Sequence, residues 1–159
     1  MRKNRNISQK ENIWIRAGRL FFILVFVYAV GWIGGSFVTV DRLNWYHSLP
    51  LSPLTPPDAV FSIVWSLLYL LMAISAFIAW DKATPRYFAF QLICTGLWPF
   101  VFFYLHSVIG GLIVIVLMLV FLFLTIREFY KTSLVSAALL VPQFLWGLFA
   151  LYLNGYILV

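Results

Sequence analysis

Four stretches of this chain carry no charged residue and are each long enough to cross a bilayer, and no other feature constrains the fold as strongly. A helix crossing about 30 Å of hydrocarbon at about 1.5 Å per residue needs about 20 apolar residues. Residues 20–40, 59–80 and 133–158 each supply one such helix. The run from Tyr87 to Ile126 is twice the required length and breaks at His106, Ser107, Gly110 and Gly111, giving spans at 87–106 and 108–127 joined by a tight turn. The predicted fold class is all-α: an integral membrane bundle of five transmembrane helices over residues 20–159, behind a basic segment at 1–19.

Composition excludes the alternatives. With 64% hydrophobic and 10% charged residues among 159, the polar surface is too small to coat a water-soluble core. Richness in Phe, Trp and Tyr argues against disorder, and the lone Cys94 rules out an internal disulfide scaffold. The net charge of +6 does not read as a nucleic-acid surface, because the basic residues bunch in Arg2, Lys3, Arg5, Lys10, Arg16 and Arg19, ahead of an apolar run. The expected partner is the lipid bilayer, with no nucleic acid.

Five spans place the N-terminus, the 81–86 connection and the 127–131 connection on one face. Of the 11 Lys and Arg residues, only Arg42 falls on the other. Cytoplasmic loops carry the lysine and arginine excess, so the N-terminus is expected in the cytoplasm. A bacterial inner membrane fits this pattern, or the mitochondrial outer membrane in a eukaryote. The one long connection, residues 41–57, lies on the charge-poor face. Trp45 and Tyr46 suit the headgroup level, and Pro50, Pro53, Pro56 and Pro57 stiffen the backbone, so an ordered cover over one mouth of the bundle is expected. Thr55-Pro-Pro-Asp58 reads as the cap and first turn of the second span.

Acid–base, nucleophilic and metal catalysis need convergent polar groups, and the spans are almost empty of them. His47 and His106 lack the companions of a metal site and read as interfacial or capping residues, so no metal is expected. What the spans do contain is aromatic and amide side chains at helical spacing. Phe61, Trp65, Tyr69 and Met72 form one stripe; Gln91, Thr95, Trp98 and Phe102 a second, with Pro99 kinking the helix; and Gln143, Trp146, Ala150 and Asn154 a third, behind Pro142. An amide in hydrocarbon needs a partner, so Gln143 and Asn154 are placed inward, serving either an interhelical hydrogen bond or a ligand. Gly31 and Gly35 form a GxxxG pair that marks close helix contact, within the chain or in a dimer.

Several of these residues also form a recognisable signature. The run Trp45-Tyr46-x-x-Leu49, then Pro56-Pro57, Phe61, Val64-Trp65, Leu68-Tyr69, Met72 and Trp80, resembles the first-loop and second-helix pattern of the TspO/MBR family of translocator and tryptophan-rich sensory proteins. Leu97-Trp98-Pro99 with Phe102-Phe103 is similar to its third-helix element, and Pro142, Trp146, Phe149-Ala150 and Leu153-Asn154 to its closing one. The resemblance implies a five-helix bundle, commonly a homodimer, whose first loop closes a pocket for tetrapyrroles such as protoporphyrin IX and haem, with transport, sensing or light-dependent porphyrin breakdown as its roles. On this reading Trp45, Tyr46, Leu49, Leu54, Pro56, Phe61, Trp65, Tyr69, Thr95, Trp98, Phe102, Gln143, Trp146, Ala150 and Asn154 bind the ligand, and no cofactor is required. A flat macrocycle suits walls of Trp, Tyr and Phe.

The chain also departs from the family pattern. Leu51-Ser52-Pro53-Leu54 stands where the family reads K-P-x-W, so the lysine and a tryptophan linked to porphyrin breakdown are both absent; this weakens an enzymatic reading, in which Trp146 would be the reactive aromatic. Thr95 replaces the usual third-helix asparagine. No basic residue follows Tyr152 or Tyr156, which leaves the sterol motif of the animal members incomplete and makes a sterol the less expected ligand. Three readings follow: a tetrapyrrole-binding receptor or transporter, an enzyme degrading porphyrin, and a structural membrane protein with no ligand.

Overall fold

The computed structural model describes residues 2–81 and 83–159, with side chains from residue 13 onward. Seven helices follow in order: α1 (Arg2–Gly35), α2 (Val40–His47), α3 (Asp58–Ala79), α4 (Arg86–Pro99, continued by a π-helical turn Phe100–Tyr104), α5 (Val108–Tyr130), α6 (Leu134–Ala138) and α7 (Val141–Tyr156). Among the described residues, five segments are long and apolar enough to cross a membrane: Ile13–Gly35, Asp58–Ala79, Arg86–Tyr104, Val108–Tyr130 and Leu134–Tyr156. The chain is an integral membrane protein whose surroundings are lipid.

The first span is displaced from the expected 20–40. Counting only charge-free residues misplaces it, because long basic side chains reach sideways to the interface. Arg16 lies 6.0 Å from the Phe77 ring centre, and Arg19 lies 5.7 Å from that of Trp80 while pairing with Asp81 at 2.8 Å. The side chains of Arg2, Lys3, Arg5 and Lys10 lie outside the described residues. At its other end the span stops at Gly35, where Phe37 N–H bonds the Gly34 carbonyl and the chain turns into α2. The fifth span is broken at Leu139 and Leu140, because Pro142 opens α7 and cannot supply an interior N–H.

The spans close into a ring: α1 touches α3 and α4, α4 touches α5, α5 touches α6 and α7, and α6 touches α3. Near the charged face this ring is tight. Ala73, Ala76 and Ala79 are buried on α3, and Ser75 and Ser136 hydroxyls each donate to the other residue's carbonyl at 2.7 Å, which satisfies both in the apolar interior. Towards the opposite face large rings replace the small residues and α3, α4 and α7 part, while α1 and α4 stay in backbone contact near the far end of α1, where a side-chain carbon on Gly34 would lie 3.2 Å from the Gly96 carbonyl.

Candidate functional site

The parted half encloses a cavity of about 530 Å³ between α1, α3, α4 and α7. That volume falls within the range of about 300–1,000 Å³ typical of small-molecule sites. Each wall follows from helical periodicity. Phe61, Trp65 and Tyr69 face in from α3, Thr95, Trp98 and Phe102 from α4, and Ala150, Leu153 and Asn154 from α7. Below them Gln143 Nε2 donates to Gln91 Oε1 at 2.9 Å, and Gln91 Nε2 points at the Met72 sulfur at 3.6 Å, forming a floor, while the Gln143 Oε1 has no partner within the protein.

The cover is a helix with a braced loop behind it. Asp41 in the first turn of α2 and His47 in its last suit the helix dipole. Tyr46 is buried against Phe102 and Phe103, with ring centres 6.0 and 5.8 Å away, and lines the cavity. Burial pushes its phenol above the ordinary tyrosine range; a hydrogen bond with Thr55 opposes the rise and the Asp58 carboxylate adds to it. His47 Nε2 sits 3.0 Å from Asp58 Oδ2, tying α2 to the start of α3, and Ser52 Oγ lies 3.0 Å from the Tyr152 hydroxyl, tying the loop to α7. Thr55 does not cap α3: Pro57 stands at that position, with no side-chain bond to the helix.

Of the sequence-expected residues, Tyr46, Phe61, Trp65, Tyr69, Thr95, Trp98, Phe102, Ala150 and Asn154 meet at the cavity. Trp45, Leu49, Leu54, Pro56, Gln143 and Trp146 do not line it. Trp45 packs behind Phe102 and across His106, at 5.5 and 4.4 Å, and Leu49 joins the same cluster. Leu54 is 64% exposed because Ser52 Oγ accepts its N–H at 3.1 Å, a tight local turn that swings the side chain outward ahead of Pro56. Gln143 belongs to the floor. Trp146 is turned towards α5, where Gly147 packs on Met118 and Leu119; it lines a small adjoining void between Ile115 and Met118 and the backs of the cavity-wall residues Phe61, Trp65, Thr95, Trp98 and Ala150, and meets Phe61 edge-on at 5.7 Å.

Among the lining residues that the sequence did not indicate, two groups have a clear structural cause. Tyr28, Gly31, Trp32 and Gly35 make α1 a fourth wall. Their helical spacing was visible, but the glycines read as a packing motif. In fact only Gly31 is in close contact, with the Tyr69 ring lying where its side chain would be, whereas Gly35 meets nothing within 4 Å. Phe103 is the second case: Pro99 lacks an N–H, the helix widens into a π turn with Leu105 N–H bonding the Phe100 carbonyl at 3.0 Å, and the extra residue turns Phe102 and Phe103 inward together.

Polar groups are distributed unevenly around this space. Asn154 is 3% exposed, yet neither its Oδ1 nor its Nδ2 has a partner within the protein, and the buried Trp98 indole N–H is likewise unpaired. Thr95, by contrast, is satisfied by donating to the Gln91 carbonyl at 2.8 Å. The α4 and α7 walls are sealed, whereas Trp32 is 79% exposed and Ser62 and Ser66 face outward on α3. The cavity thus opens sideways between α1 and α3, bridged by the Tyr28 hydroxyl donating to the Ser66 carbonyl at 2.9 Å.

The sequence profile described as the TspO/MBR family matches residues 22–159. The chain is similar to the tryptophan-rich protein TspO of Chlorobaculum tepidum, at 36% identity over 82% of this chain and 87% of that one. It is similar to the protein of the same name from Archaeoglobus fulgidus at 34% identity, over 86% and 92%. The translocator protein of Homo sapiens matches at 28%, over 77% and 78%. The chain belongs to the TspO/MBR family.

Proposed function

We propose that this protein is a membrane receptor or transporter that binds a flat, largely apolar ligand of the tetrapyrrole class, such as protoporphyrin IX or haem, in the cavity beneath α2. One observation carries the reading. A ring-lined cavity of about 530 Å³ holds a buried amide, Asn154, with neither polar atom paired. Native proteins leave few such groups, since each costs about 1–3 kcal/mol, and they concentrate where function requires them. Trp65, Tyr69, Trp98 and Phe102 supply the faces on which a conjugated ring stacks, and a small reorientation of the Asn154 side chain would bring its unpaired amide to the ligand.

The sideways opening lies about two helical turns inside the bilayer, judged from the place of Ser66 in α3, so the ligand exchanges with the lipid rather than through the cover. A porphyrin partitioned in the membrane would reach the cavity past Tyr28. The charge asymmetry supports an N-terminus in the cytoplasm of a bacterial cell, and the family supports a homodimer. We favour binding without conversion, because Leu54 stands where the family pattern carries a tryptophan linked to porphyrin breakdown.

The test is titration of the protein in lipid nanodiscs with protoporphyrin IX, following tryptophan emission. Saturable quenching that is lost in Trp98→Ala supports the reading. Linear, non-saturating quenching by folded protein contradicts it.

A further inference from the structure

Three hydroxyls gather on the flank where the cavity opens. Tyr28 on α1 and Ser62 and Ser66 on α3 line the cavity and are exposed on the lipid side, within membrane-spanning segments where polar side chains are uncommon and tend to mark pathways. Ser66 settles its own hydroxyl by donating to the Ser62 carbonyl at 2.8 Å, and its carbonyl accepts the Tyr28 hydroxyl at 2.9 Å. Among the described residues, this is the one side-chain hydrogen bond that joins α1 to α3, and it crosses the opening.

Little else holds the Tyr28 ring. Its aromatic neighbour is Tyr69, tilted at 6.0 Å between ring centres; one side of it is the cavity and the other is lipid. Further along the same flank Trp32 is exposed and Gly35 meets nothing within 4 Å. The cover is held far more firmly, by the His47–Asp58 and Ser52–Tyr152 contacts and by the burial of Tyr46 against Phe102 and Phe103. Resting on the premise that the cavity binds a membrane-dissolved ligand as proposed above, we infer that Tyr28 is a lateral gate. Breaking its bond to the Ser66 carbonyl lets the ring swing into the lipid and opens a passage between α1 and α3; remaking the bond holds the ligand in. A polar group in hydrocarbon has no water to turn to, so the closed position is favoured. The bond therefore sets the rate of exchange in both directions more than it sets affinity.

Temperature-jump relaxation of tryptophan emission tests this on the full chain in zwitterionic nanodiscs loaded with protoporphyrin IX or with pyrene. The dependence on ligand per lipid gives both rate constants. Tyr28→Phe keeps the ring and removes the tie; it is expected to raise association and dissociation together, each by about fivefold, the size of one interhelical hydrogen bond, so that affinity moves less than either rate. Ser62→Phe narrows the same opening and is expected to slow both severalfold. Ser52→Ala frees the loop from Tyr152 and is expected to leave both as in the wild type. Faster dissociation alone in Tyr28→Phe makes Tyr28 a ligand contact, and exchange speeded by Ser52→Ala but not by Tyr28→Phe routes the ligand through the cover. Either result overturns the gate, as does absence of binding by both probes. If pyrene shows the gated kinetics while protoporphyrin IX does not bind, the tetrapyrrole reading falls and the gate stands.

Discussion

The two halves of the bundle are built from the same five spans but solve the problem of polar groups in lipid in opposite ways. Near the charged face, Ala73, Ala76, Ser75, Ser136 and Ala137 let α3 and α6 close together, and every hydroxyl there is paired. Near the covered face, Trp65, Tyr69, Trp98 and Phe102 hold α3, α4 and α7 apart, and the Asn154 amide and Trp98 N–H are left without partners. Side-chain size sets the separation of the helices, and that separation decides whether a buried polar group can find a partner inside the protein. The tight half stabilises the bundle. The open half gives up some of that stability to keep a site.

Substitutions should therefore act on different observables in the two halves. The largest effect is expected at the tight contact: Ser136→Leu overpacks α3 against α6 and strips Ser75 of its partner, lowering stability by about 3 kcal/mol in reversible unfolding from mixed micelles. Across the floor, Gln143→Leu leaves Gln91 Oε1 without its donor and should cost about 1–2 kcal/mol in the same assay. In the open half, Gly31→Val drives the Tyr69 ring into the cavity, and ligand affinity should fall by about tenfold, or about 1.4 kcal/mol. The smallest effect is expected at Trp146→Phe. Its ring lies outside the main cavity, so ligand affinity should change by less than about twofold, well under 1 kcal/mol; a tenfold loss would place the ligand in the wrong void.

Much of this was legible in the sequence because hydrocarbon imposes simple rules. Charge-free length gives the number of spans, and spacing of three and four gives the inward stripes of α3, α4 and α7, so Phe61, Trp65, Thr95, Trp98 and Asn154 were readable as neighbours. Local backbone chemistry was harder to read. The proline-rich connection concealed the eight-residue helix α2, and the Ser52 turn that expels Leu54 depends on a side-chain bond that no periodicity reports. The π turn after Pro99 changes the register of its own helix, so a regular count finds Phe102 but misses Phe103. The α1 wall was missed because Gly31 and Gly35 suit close packing and an open flank equally well. Whether Gln143 and Asn154 bonded across helices or faced a ligand was open in the sequence, and the structure separates them. The Gln143 N–H bonds Gln91 across helices and only its Oε1 is unpaired, whereas both polar atoms of Asn154 are.

That separation gives the most direct test of the account. Asn154→Leu keeps the branched heavy-atom skeleton and removes two buried polar atoms without partners, so it should raise stability by about 1 kcal/mol while weakening ligand binding by about tenfold. Stability and binding moving in opposite directions is the predicted result. If the substitution destabilises the protein, or leaves binding intact, Asn154 serves the packing of the bundle and the open half is not a ligand site.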